Sequence, residues 1–268
     1  MNGSPELLRR LEGQLHTALA EGSEIHEVTA FRVHIWRTPD PFYRNVAVPV
    51  RPAVDWAAAI QALRRLFARH ERRSRVEFFA ELWPGLDRTL AAAGFLAESQ
   101  APVMALSGWR LPPDEAAMTI ELLNGSTPAS LLRACLEGAA AAFHEPAAIL
   151  APGELERLQQ GLERGSLRSA VVRAAGVPVA GASLAGCGPV AELLGVWTSA
   201  AHRRRGLARA LCRRLLTDFF ASGGEIVWLT AGSEESLGLY SGLGFERCGT
   251  HLDYADQAEA ASSAPGHS

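Results

Sequence analysis

Arg203, Arg204 and Arg205 run directly into Gly206, Leu207 and Ala208, in a chain of 268 residues whose 26 basic side chains are all arginine. Three guanidinium groups before a small-residue turn suit a nucleic-acid patch, a solvated charge run or a seat for phosphate. A net charge of −3 gives no basic field that would gather nucleic acid, so these arginines act locally. The stretch follows the apolar, β-prone segment PVAELLGVWTS (189–199) and precedes apolar residues at helical spacing. It therefore sits where a strand hands over to a helix. The first N–H groups of a helix lack partners and carry the positive end of its dipole. Residues as small as Gly206 and Ala208 let an oxygen-rich group come close to those N–H groups. Phosphate fits this junction, although no GxxxxGK[ST] loop occurs in the chain. The absence of lysine also removes any Schiff-base or amine-base chemistry.

The elements around this junction recur. VEFFAELWPGLDRTLAAAGF (76–95) lies over IVWLTAGSEESLGLYSGLGF (226–245) without a gap, each an apolar strand, a turn, a helical stretch and Gly-Phe opening another strand. Upstream, DWAAAIQALRRLFARH (55–70) and RGLARALCRRLLTDFF (205–220) share helical apolar spacing. Duplication of a strand–helix–strand–helix–strand unit accounts for the match. In the second half, the spacing predicts a strand over 117–125, helices over 130–145 and 152–165, two strands within 167–186, and a strand over 189–199. A helix from about Gly206, a strand over 225–231, a helix over 233–242 and a last strand from Phe245 to about Tyr254 follow. The first half predicts a helix over 5–21, an extended run over 24–38, a short strand over 45–50 and the repeated unit. Prolines and a change of composition near 107–116 mark a linker.

The order strand–RRRGLA–helix–strand–helix–LGF resembles the GCN5-related N-acetyltransferase (GNAT) superfamily. The resemblance rests on its acyl-CoA motif [RQ]-x-x-G-x-[GA], here Arg203 to Ala208, and on LY-x-x-x-GF within SLGLYSGLGFE (236–246). It covers about 117–255 and implies an α/β (α+β) fold with two GNAT-like domains, each a mixed, mostly antiparallel twisted sheet flanked by helices. The implied boundaries are 1–110 for a degenerate domain without an acyl-CoA site, 111–116 for the linker, 117–255 for the catalytic domain and 256–268 for a flexible tail. The implied activity is direct transfer of acetyl from acetyl-CoA, the co-substrate, to a primary amine on a small molecule or peptide, with no metal. The alternative is a catalytically silent CoA-binding or regulatory protein of the same fold.

Carried over residue by residue, main-chain groups of Val196, Trp197 and Thr198 would meet the pantetheine arm, in the slot where this strand splays from 228–231. The N–H groups from Arg204 to Arg209 would take the pyrophosphate, with Arg203, Arg204 and Arg205 adding charge around Gly206, Leu207 and Ala208. Tyr240 would lie near the thioester sulfur and protonate the thiolate. Glu192, eleven residues before Arg203, stands where histone-type members carry a catalytic glutamate. It would act as base, directly or through an ordered water, or else position substrate, with partial desolvation by Leu193 and Leu194 raising its pKa. Ser233 stands where members often have Asn and suits a helix cap before Glu234 and Glu235. His144 and Glu145 are weaker acceptor-pocket candidates, and His202 reads as a loop histidine.

The corresponding stretch of the first half, VPVRPAVDWAAA (48–59), offers no glycine turn. Pro52 removes a donor, Asp55 repels phosphate, Trp56 fills the approach, and Leu90 replaces Tyr240. Its expected role is to pack against the second half and form a wall of the acceptor pocket. Four separated cysteines with no CxxC pair, a polar N-terminus and the lack of a long apolar stretch point to a cytoplasmic protein with no membrane or nucleic-acid partner, monomeric or homodimeric.

Overall fold

A computed structural model of the chain describes residues 3–37, 44–108, 118–144 and 153–257. The expected linker at 111–116, Glu145, and the expected tail beyond Gln257 lie outside the described residues. Two compact units are present. The first takes residues up to Val103 together with Thr230–Gly232 and the chain from Arg247 onward; the second takes Met104–Leu229 and Ser233–Glu246.

The first unit opens with α1 (Pro5–Ala20), which Ser4 caps by accepting a hydrogen bond from the Leu7 N–H, with Pro5 in the first turn. Strands β1 (Ser23–Val28) and β2 (Phe31–Trp36) form an antiparallel hairpin. The sequence reads this span as one extended run, but Thr29 enters the left-handed region at φ 52° and turns the chain back. Next come β3 (Val46–Pro49), α2 (Trp56–Arg69), β4 (Arg75–Phe79), α3 (Leu86–Ala92) and the start of β5 (Phe95–Ser107). The strand order is β1-β2-β3-β4-β11-β5, where β11 is the last strand, Glu246–Asp256. Only the β3–β4 pairing recorded in this unit is parallel. Ile60, Leu63 and Phe67 of α2 recur at helical spacing and pack with Phe31, Phe78, Leu90 and Phe95 in one core.

The second unit contains β6 (Glu121–Leu123), α4 (Ala129–Phe143), α5 (Glu154–Arg164), β7 (Leu167–Ala174), β8 (Val177–Ala185), β9 (Val190–Thr198), α6 (Leu207–Ala221), β10 (Ile226–Thr230) and α7 (Glu234–Ser241). Its strand order is β10-β9-β8-β7-β6, antiparallel except for β9–β10. Leu211, Cys212, Leu215, Leu216 and Phe219 make the buried stripe of α6. Each unit is thus a mixed, mostly antiparallel sheet with helices.

The repeat is visible in the order of elements: α1-β1-β2-β3-α2-β4-α3-β5 is followed, after β6 and α4, by α5-β7-β8-β9-α6-β10-α7-β11. The last strand departs from the expected boundaries. Its residues from Arg247 group with the first unit, because β11 runs antiparallel to β4, with Asp253 opposite Glu77 and Tyr254 opposite Val76. Asp256, expected to open the tail, still belongs to this strand.

Candidate active site

β9 is where the second unit departs from regular sheet. Its antiparallel pairing with β8 passes from Ser183 opposite Leu194 to Gly181 opposite Trp197, so Gly195 and Val196 together face Ala182. This is a bulge, and Gly195 adopts the left-handed conformation it requires, at φ 59°. On its other side β9 runs parallel to β10 only from Val190 opposite Ile226 to Glu192 opposite Trp228. Beyond that pair β9 continues to Thr198 with no further recorded register to β10. Val196, Trp197 and Thr198 lie on β9 beyond its last residue paired with β10, Glu192. The Trp197 ring is buried between two glycines: a Cβ built on Gly181 would fall 2.6 Å from its Nε1, and one on Gly138 of α4 would fall 2.5 Å from its Cη2. Sequence reasoning missed the bulge, although a glycine inside a strand pattern signals one.

After β9 a single turn of 3₁₀ helix, Ala200–His202, leads into the arginines. His202 is held locally, its Nδ1 2.9 Å from Ser199 Oγ. Arg203 donates from Nε to the Thr198 carbonyl at 3.3 Å, tying the loop to the end of β9. Arg204 at φ 64° and Gly206 at φ 78° both take left-handed conformations, which turn the chain sharply into α6. A left-handed arginine is strained, whereas the glycine accepts the same geometry freely. Gly206 is the N-cap residue and offers no side chain to the helix. A Cβ there would point into open space. Arg203, Arg204, Arg205 and Arg209 are exposed, while the Leu207 side chain is buried, so Leu207 can serve a ligand only through its main chain. Arg209 donates a hydrogen bond to the Gly242 carbonyl, joining α6 to the end of α7. The uncapped N–H groups, the helix dipole and surrounding guanidinium groups together suit a phosphate-bearing group.

α2 in the first unit starts differently. Asp55, extended at φ −136°, caps it by accepting a hydrogen bond from the Ala58 N–H at 3.0 Å. A carboxylate thus occupies the place where an anion would sit, and Leu90 is fully buried in the core.

Two titratable groups of the second unit have shifted protonation. Burial pushes the Glu192 carboxyl up to about 7, and desolvation is the cause. Leu193 is buried, but Leu194 is exposed to 37% and does not supply the expected shielding. Tyr240 on α7 is buried, with its ring 5.9 Å from that of Phe245 in an edge-on contact. Burial, and secondarily the neighbouring Cys212 thiol, hold its hydroxyl above the ordinary tyrosine value, so it is a protonated donor at neutral pH. Cys212 is itself pushed up to about 12 by burial and is no nucleophile. Ser233 caps α7, accepting from the Ser236 N–H at 3.2 Å, while its own N–H donates to Ser236 Oγ at 3.0 Å. His144 caps the end of α4 at φ 60° and is exposed.

The bulged strand, the uncapped helix that follows it and the buried tyrosine all lie in one mixed α/β unit. Comparison with known proteins supplies the family: residues 132–245 match the Acetyltransferase (GNAT) family. The chain thus carries a GNAT-family domain over those residues. A GCN5-related N-acetyltransferase from Kribbella flavida is similar over 94% of this chain and 96% of its own, at 25% identity and a TM-score of 0.75. A GCN5-related N-acetyltransferase from Sphaerobacter thermophilus shares the fold over 85% of this chain and 76% of its own, at 16% identity and a TM-score of 0.62. A tandem GNAT protein from the clavulanic acid biosynthesis pathway does so over 88% and 79%, at 16% identity and a TM-score of 0.59. Among curated proteins, none matches the chain. Among the described residues no helix is long and apolar enough to cross a membrane.

Proposed function

We propose that the second unit transfers an acetyl group from acetyl-CoA directly to a primary amine. The observation that carries this reading is the junction itself: an uncapped α6 N-terminus behind left-handed Arg204 and Gly206, next to the part of β9 that lies beyond its pairing with β10. The main chain from Arg204 to Arg209 would hold the pyrophosphate, with Arg203, Arg204 and Arg205 around it, and Val196 to Thr198 would hold the pantetheine arm. Ser233 contributes by fixing the start of α7, which carries Tyr240. When bound, acyl-CoA supplies an activated thioester carbonyl.

Glu192 accepts a proton from the amine, directly or through a water it orders, as the new C–N bond forms and the C–S bond breaks. Tyr240 gives its proton to the departing thiolate, and solvent restores both groups. A base poised at about 7 and a donor held protonated are the pair this exchange requires. The first unit, whose equivalent helix start is closed by Asp55, binds no acyl-CoA on this reading.

Acetyl-CoA binding measured by calorimetry, followed by thiol release across a panel of amines, tests the reading. Tyr240→Phe should leave acetyl-CoA affinity within about twofold and lower kcat by about 10²-fold or more. Tight binding with no turnover on any amine would instead establish a silent binding protein, and absence of acetyl-CoA binding would remove both readings.

A further inference from the structure

Three metal-ligating side chains meet at the outer edge of the first unit's sheet. Glu24 and His26 lie two apart on β1 and so share a face, and Val28 on that face packs against the core that α2 helps to build. His70 is the C-cap of α2, its N–H bonded to the Phe67 carbonyl at 3.0 Å, and Glu71 at φ 54° turns the chain away. The helix end brings the His70 ring centroid to 5.0 Å from that of His26, with the planes tilted by 55°. His26 Nε2 stands 3.1 Å from Glu24 Oε1. One ligand atom from each of the three residues comes within 4.8 Å of those of the other two.

Among the described residues these side chains have only one another as polar and ring partners. No arginine bridges Glu24 there: Arg32 on β2 is taken by Glu27 at 2.6 Å, and Arg72, two residues past His70, donates to the Glu71 carbonyl. His26 Nε2 is closed to solvent and makes no hydrogen bond among the described residues, despite the carboxylate oxygen beside it. An imidazole nitrogen and a carboxylate oxygen held this close without a shared proton suit two ligands of one ion. The negative end of the α2 dipole adds to the attraction for a cation at this corner.

We propose that Glu24, His26 and His70 bind a zinc ion, which ties the edge strand β1 to the end of α2. Two imidazoles and one carboxylate are a set that zinc accepts, with water in the fourth position. Metal–ligand bonds of about 2.0–2.2 Å place tetrahedral ligands about 3.4 Å apart, so His26 and Glu24 already stand near that separation and rotation of the His70 side chain closes the set. β1 ends the sheet and pairs with β2 alone, so a link to α2 restrains a strand whose other edge is open. All three residues lie in the first unit, apart from the acyl-transfer residues proposed above. A second cluster in the same unit, Glu77, His251 and Asp253, differs in that the Arg75 charge already acts on its histidine.

The full chain, stripped of metal and freed of any histidine tag, is titrated with Zn²⁺ by calorimetry, and its melting is followed with and without the ion. One ion bound per chain and a raised melting temperature are expected. His26→Ala, His70→Ala and Glu24→Gln should each remove a ligand and weaken binding about tenfold or more. Asp253→Asn, in the second cluster, should leave the affinity unchanged. Absence of binding, or binding that survives both histidine variants, overturns the proposal. Glu24 is 59% exposed, so Glu24→Gln keeps the fold if a histidine variant does not. In that case anomalous diffraction from the wild-type protein soaked in Zn²⁺ decides: a peak among the three side chains supports the site, and its absence overturns it.

Discussion

Replacing Glu192 with glutamine should alter the pH dependence of both activity and stability. With its carboxyl at about 7 in place of the ordinary 4.5, about one-tenth of the free enzyme carries the base form at pH 6 and about nine-tenths at pH 8. The wild-type kcat/KM should therefore rise about tenfold across that interval. A carboxyl at its ordinary value would be almost wholly ionised throughout and would contribute almost no slope. Stability follows the same titration. A carboxyl that holds its proton longer in the folded chain than in the unfolded one gives stability that is complete below pH 4.5, declines as pH rises to about 7, and is level above it. At about 1.36 kcal/mol per pH unit the decline is at most about 3 kcal/mol. Glu192→Gln should lower kcat/KM by about 10²-fold or more, remove its slope between pH 6 and 8, and make unfolding in urea less pH-dependent below 7. Comparing both proteins with the same amine cancels the titration of the acceptor itself. An equal slope in the glutamine variant, or a flat wild-type profile, would refute the assignment of Glu192 as the base.

Gly206→Trp should abolish acetyl-CoA binding by calorimetry while the chain stays folded, because the new side chain points into open space above the helix start and the φ of 78° costs about 1–2 kcal/mol. Gly181→Ala should lower stability by about 1–3 kcal/mol in denaturant titration, since its methyl group would meet the Trp197 indole at 2.6 Å. Asp55→Ala should cost about 1 kcal/mol through loss of the α2 cap, without changing acetyl-CoA affinity.

Much of the element order was legible because it repeats: helical apolar spacing and Gly-Phe strand openings mark the same pattern twice. The turn at Thr29 was not, because Val28-Thr29-Ala30 contains none of the glycine, proline or asparagine that usually announces a hairpin. At the site, Gly206 and Ala208 announced the helix start through their size, whereas the bulge at Gly195 depends on the register with β8, which only the paired strands define. The partner of β11 was hidden for a related reason. Its residues are β-prone on their own, but nothing local says that they will lie against Arg75–Phe79.

That pairing also orders events during synthesis. The first unit emerges from the ribosome early, yet β4 waits for a neighbouring strand encoded near the end of the chain. Until then its edge is an open template for other strands. The first half can begin to collapse around α2 and α3, but it completes its sheet only after the second half has been made. Severing the chain between the two units would leave the first without β11, so they are not separable modules.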